Sequence, residues 1–135
     1  MKYLAVVSFI LLMTVVSCKM DPPFLSYSNV TVDITEKNVP ENGIINQPVI
    51  ITAVCSAPNG CWNQLHFVFK ERENFKYDLY AVGNYESYGV CPEVLVMKDT
   101  LITLIPDVAG KYVITTLISP DTIERDTIVV TAGAR

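Results

Sequence analysis

The chain predicts an all-β domain, a single antiparallel β-sandwich of about seven or eight short strands. Three observations carry that expectation. Beyond residue 28, apolar and polar residues alternate with a period of two, the pattern of strands with one buried face. Turn signals recur between the alternating runs, at Pro58-Asn59-Gly60, Glu71-Arg72-Glu73-Asn74, Pro106-Asp107 and Ser119-Pro120-Asp121. No window of roughly ten or more residues in this part repeats with a helical period.

The elements follow in order. Val30, Val32 and Ile34 alternate with Thr31, Asp33 and Thr35 in a first strand. Asn42-Gly43 reads as a turn. Val49, Ile51 and Ala53 form one face of the next strand, which ends near Cys55. Leu65, Phe67 and Phe69 line the inner face of another, with His66 and Lys70 opposite. Tyr77, Leu79 and Ala81 alternate with Asp78 and Tyr80, and the stretch Gly83 to Gly89 reads as a loop bounded by two glycines. Val94 to Met97 and Leu101 to Ile105 read as strand segments parted by a turn or bulge at Lys98-Asp99. Tyr112, Ile114, Thr116 and Ile118 give the next strand. Thr127 to Thr131 gives the last, rich in β-branched residues that fit a pleated surface.

Ahead of this domain, Lys2 precedes an uncharged, mostly apolar run from Tyr3 to Val16 and then Ser17-Cys18. A basic start, a short apolar stretch and a small residue at the cut describe a secretory signal peptide. The run is shorter than the roughly 20 apolar residues that cross a bilayer, and no other segment is long and apolar enough to do so. Val15-Val16-Ser17-Cys18 resembles the lipobox of bacterial lipoproteins. That resemblance implies cleavage before Cys18, acylation of its thiol and its new amino group, and attachment of the mature protein to a membrane. Each buried methylene contributes about 0.8 kcal/mol, and more than one chain makes the attachment stable. In that family an aspartate after the cysteine marks inner-membrane retention. Lys19 stands there instead, which implies the outer membrane, with the domain facing the periplasm or the exterior. The organisation expected is a signal peptide at 1–17, a lipidated terminus and spacer at 18–27 and a β-sandwich domain at 28–135. Asp21-Pro22-Pro23 opens the spacer. Its prolines donate no backbone hydrogen bonds and favour extended chain.

The part after the signal peptide is long enough for one domain and too short for two. The full chain, 50% hydrophobic and 18% charged, can bury a core and is not a disordered composition. A net charge of −4 without a basic cluster argues against a nucleic-acid partner. With Cys18 committed to lipid, Cys55, Cys61 and Cys91 remain for an oxidising compartment, in which a disulfide is expected. On chain entropy, Cys61–Cys91 would contribute roughly 3.5–4 kcal/mol and Cys55–Cys61 about 2.5. That ranks the benefits without choosing the bond.

Gly60-Cys61-Trp62, Gly89-Val90-Cys91 and Pro106-Asp107-Val108-Ala109-Gly110-Lys111-Tyr112, in that order, resemble a group of small Gram-negative lipoproteins with an immunoglobulin-like β-sandwich. The resemblance covers about the last two-thirds of the chain. It implies that Cys61 and Cys91 are paired and that Cys55 is a buried free thiol. It supplies no reaction.

The chemistry-bearing residues do not assemble into a catalytic set. His66, the only histidine, lies five positions from Cys61, an odd separation that places the two on opposite faces of a strand. Cys55, Cys61, His66 and Cys91 lack the short paired spacing of a structural zinc site. The acids Glu71, Glu73, Glu86, Asp107, Glu124 and Asp126 are scattered over turns, and no pair stands out as glycosidase carboxylates. No catalytic residue, cofactor or metal is therefore expected. Among the aromatic residues, Trp62, Tyr77 and Tyr80 read as core and sheet surface. Tyr85, Glu86 and Tyr88 form the candidate binding loop, because exposed rings commonly anchor protein or glycan partners. The function expected is a lipid-anchored, non-catalytic binding or accessory module of the bacterial cell envelope, held to its membrane through Cys18, with an unknown protein or glycan as partner. The second reading is an inhibitor of a secreted protease that inserts residues 83–89 into a cleft.

Overall fold

The computed structural model describes residues 23–133. The signal peptide, Cys18 and the first part of the spacer lie outside the described residues. The strands are β1 (Leu25–Asn38), β2 (Asn42–Ile44), β3 (Val49–Ala57), β4 (Trp62–Glu73), β5 (Lys76–Ser87), β6 (Val96–Leu104), β7 (Gly110–Ser119) and β8 (Thr122–Thr131). The all-β class holds, and among the described residues no helix is long and apolar enough to cross a membrane. β1 begins inside the segment expected to be spacer.

The strands form one mixed, strongly curled sheet in the order β2-β8-β7-β5-β1-β3-β6, with β4 on the other edge of β5. Two pairings are parallel, β2 with β8 and β5 with β7, so the expected all-antiparallel arrangement is corrected. Period-two alternation reports which face is buried and is blind to the direction of the neighbouring strand. β1 makes the curl. Its first half, through Val32, pairs with β5, and from Asp33 it pairs with β3. One strand thereby joins two parts of the sheet that close around a common core.

Inside the curl, Ile51, Leu79, Ile114 and Ile128 are wholly buried, together with Cys55 and the nearly buried Tyr112. β3 shows the cause most plainly. Val49, Ile51, Ala53, Cys55 and Ala57 are all buried while the residues between them are not. Burying each large apolar side chain contributes roughly 1.5–3 kcal/mol.

Three local readings are corrected. Asn42-Gly43 is not a free turn but part of a short edge strand against β8. β6 runs unbroken through Lys98 and Asp99, which are exposed and pair with Cys55 and Val54. An edge strand with one outward face accommodates adjacent charges. β5 continues through Gly83 to Ser87, so Tyr85 and Glu86 belong to a strand and not to a loop.

Gly83 also marks where the sheet bends. Both neighbours of β5 bulge beside it, β1 between Tyr27 and Val30 and β4 between Asn63 and His66. The bulges contain left-handed residues, Asn29 at φ 54° and Gln64 at φ 51°. Asn84 braces both, its Oδ1 accepting the Asn29 N–H at 3.0 Å and its Nδ2 donating to Gln64 Oε1 at 2.8 Å. A Cβ at Gly83 would collide with Leu65 Cδ2. Gly83→Ala is therefore expected to force Leu65 out of its packing and destabilise the domain by about 1–3 kcal/mol. Urea unfolding followed by circular dichroism measures the loss.

Lys37 of β1 ties the sheet to β8 through ion pairs with Asp126 and, at 3.0 Å, Glu124. Burial alone would lower the Lys37 pKa, but the hydrogen bonds and charges of Asp126 and Glu124 outweigh it, so the net shift is upward. A raised folded pKa gives stability that is full below the unfolded value and lost as pH rises through the folded one. Burial, followed by the charges of Glu71, Tyr112 and Asp107, also raises the Tyr77 pKa. The unfolded phenol then loses its proton first, and this works in the same direction. The buried Cys55 thiol, also held above its ordinary value, adds an earlier step. Stability is expected to be flat from pH 7 to about 8, to decline from about pH 8.5 as the unfolded thiol ionises, and to fall further from about pH 10 upward, read as the urea midpoint against pH. Lys37→Met is expected to flatten that fall.

Candidate functional site

The richest surface gathers around the disulfide, at the end of the molecule where β1 and β4 begin and β5 ends. The pairs Leu25–Ser87 and Tyr27–Tyr85 bring the start of β1 beside the end of β5, while Trp62 opens β4 opposite Tyr85. β5 presents Tyr85 between two other rings, Trp62 at 5.5 Å edge-on and Tyr27 at 6.1 Å. Such pairs contribute about 0.5–1.5 kcal/mol beyond their buried area.

The segment between β5 and β6 has no ladder of its own and is held by other means. Cys91 is bonded to Cys61, the pairing the resemblance implies. The Gly60 N–H donates to the Pro92 carbonyl at 2.8 Å, and the Glu86 N–H to the Cys61 carbonyl at 2.9 Å. The Tyr85 hydroxyl lies 3.3 Å from Cys91 Sγ, to which it donates. Gly89, at φ 98°, makes the turn that strand geometry could not, and its N–H bonds Ser87 Oγ at 3.1 Å.

This scaffold displays apolar side chains outward. Tyr88 is 72% exposed and Val90 86%, and Phe24, Tyr27, Val94 and Leu95 are exposed with them. The Phe24 and Tyr88 rings meet at 4.7 Å. Single exposed apolar residues are ordinary, but here Phe24 meets Tyr88, and Val90, Val94 and Leu95 follow Tyr88 in the same segment. Of the residues read from sequence as a binding loop, Tyr88 fits that role in position. Tyr85 is a half-buried strand residue that supports the disulfide, and Glu86 is exposed on the same strand. Val90, Val94 and Leu95 were not singled out from sequence, because Val94-Leu95-Val96-Met97 reads as a buried strand.

The remaining candidates are placed as follows. Cys55 is free and buried, and burial pushes its thiol above the ordinary value. His66 is exposed, with Nδ1 3.0 Å from the Gln64 carbonyl. The bulge between Asn63 and His66 interrupts the odd-separation argument, yet Cys61 is buried in its disulfide and His66 points to solvent. Among the described residues, no three His, Cys, Asp or Glu side chains gather as metal ligands. Lys70 lies over the Tyr80 ring at 5.5 Å. At the opposite end, an open depression is lined by Glu71, Asn74, Phe75, Tyr77 and Asp107, and the Tyr112 hydroxyl beneath it donates to the Val108 carbonyl at 3.0 Å.

No protein-family model, curated protein or solved structure matches the chain. Among the described residues the chain is a small all-β domain, clamped by the Cys61–Cys91 disulfide, with a group of exposed apolar side chains at one end.

Proposed function

We propose that this protein is a lipid-anchored, non-catalytic binding or accessory module of the bacterial cell envelope, with an immunoglobulin-like β-sandwich as its head. The observation that carries the reading is the position of the apolar rim. It lies at the end of the domain from which the chain leads back, within a few residues, to Cys18 in its lipobox-like setting.

Tyr112 supports the immunoglobulin-like part. It stands near the start of the penultimate strand and bonds a carbonyl upstream, as the tyrosine corner of that fold does. The division of β1 between two partners also suits a two-layered core. The non-catalytic part draws on Cys61 being held in its disulfide while His66 is exposed with Nδ1 against the Gln64 carbonyl. The protease-inhibitor reading loses its motive, since residues up to Ser87 of the expected insertion loop lie in β5.

Intact-mass measurement of the protein purified from its own membranes tests the anchor. A diacyl or triacyl adduct on Cys18 is expected, and Cys18→Ser is expected to move the protein from the membrane to the soluble fraction. A membrane-derived protein without an acyl adduct on that residue overturns the reading.

A further inference from the structure

We infer that the rim around Tyr88 rests on the bilayer surface itself, so that the domain lies against the membrane that holds its lipid. The inference depends on acylation of Cys18 and goes beyond it by naming what the rim contacts. Residues 18–22 separate the acylated position from the described domain. Even fully extended they reach at most roughly 18 Å. The domain enters at Phe24, whose ring packs against Tyr88. A leash of that length keeps the rim, rather than the opposite end, next to the lipid.

The chemistry of the rim fits that neighbour. Phe24, Tyr88, Val90, Val94 and Leu95 are exposed, and tyrosine and aliphatic residues suit the boundary between headgroups and acyl chains. Along the described chain the charges next to these residues are acids, Glu86 and Glu93. Contact is therefore apolar rather than electrostatic and favours zwitterionic over anionic lipid. The Cys61–Cys91 bond fixes the segment in advance, which removes most of the ordering cost of docking. Tethering raises the effective concentration of the rim at the surface, so a shallow contact suffices.

The test uses acylated protein purified from membranes and reconstituted in phosphatidylcholine vesicles with brominated acyl chains. Intact mass is read first, so loss of the anchor is recognised separately. Trp62, the one tryptophan, is changed to phenylalanine. A reporter is then placed by Tyr88→Trp at the rim or by Ile105→Trp, an exposed position at the other end of β6. The rim reporter is expected to shift to the blue and to be quenched at least twofold, and the distal reporter is expected to be unaffected. Val90→Asp with Leu95→Asp is expected to abolish the quenching. Hydrogen exchange on the chain without domain substitutions gives a second reading. Residues 88–95 are expected to exchange at least threefold more slowly in the vesicle-bound acylated protein than in soluble Cys18→Ser. An acylated protein with equal quenching at both reporters and unchanged exchange at 88–95 overturns the docking and leaves the anchor standing. A protein or glycan partner that covers the rim while it stays unquenched overturns it as well.

Discussion

Replacing both Cys61 and Cys91 with alanine is expected to lower the unfolding free energy by roughly 3–4 kcal/mol, and the urea midpoint by about 2–3 M. The bond joins positions 30 residues apart and encloses all of β4 and β5. In the unfolded chain it removes the freedom of that whole loop, and this is the larger part of its effect. In the folded chain it has a second task. The segment from Tyr88 to Leu95 has no ladder partners, so without the bond it is held mainly by the Gly60–Pro92 hydrogen bond and its neighbours. A domain of this size has about 5–15 kcal/mol in total, so the loss is a large fraction. Reduction of the unsubstituted protein is expected to shift the midpoint by a similar amount. A shift below about 1 kcal/mol would mean that β4 and β5 already pair in the denatured state.

What was legible in the sequence is what period two encodes. β3 and β7 were placed by their alternation because each has one face wholly inside the curl, and any slip of register would expose that face. The hairpin turn at Ser119-Pro120-Asp121 was marked by its breaker residues. The parallel pairings were not legible, since Leu79 opposite Thr116 and Gly43 opposite Val130 leave no trace in either strand alone. Gly83 misled for a physical reason. Two glycines with polar residues between them look like a loop, whereas this glycine admits the Leu65 side chain beside two bulges.

The candidate site was legible only in part. Tyr88 was found because it lies in the stretch from Gly83 to Gly89, which reads as a loop bounded by two glycines. Leu95 was hidden because Val94-Leu95-Val96-Met97 reads as a strand, and Val90 because an apolar residue beside a cysteine is ordinarily core, whereas the segment carrying both lies outside the ladders, held by the disulfide and the Gly60–Pro92 hydrogen bond.

Leu79→Ala is expected to cost roughly 3–4 kcal/mol, near the upper range for a buried leucine. Leu79 is fully buried and lies opposite Phe69 of β4 and Thr116 of β7. It sits just before β5 exchanges β7 for β1 as its partner, at Ala81. Strands fixed by three ladders cannot close over the void, so most of the cavity persists. A water molecule offers no rescue, because it needs two or more polar partners and the neighbouring strand offers only the hydroxyl of Thr116. That hydroxyl is itself buried without a hydrogen-bond partner. Thr116→Val, which removes the orphaned group at nearly constant shape, is expected to stabilise the parent by about 1 kcal/mol. The double substitution then decides whether the cavity is dry. In a dry cavity Thr116→Val stabilises the Leu79→Ala protein by the same amount within about 0.5 kcal/mol. In a hydrated one the hydroxyl has gained a partner, and its removal becomes destabilising. Urea unfolding of the four proteins gives the sign, and additivity is the expected result.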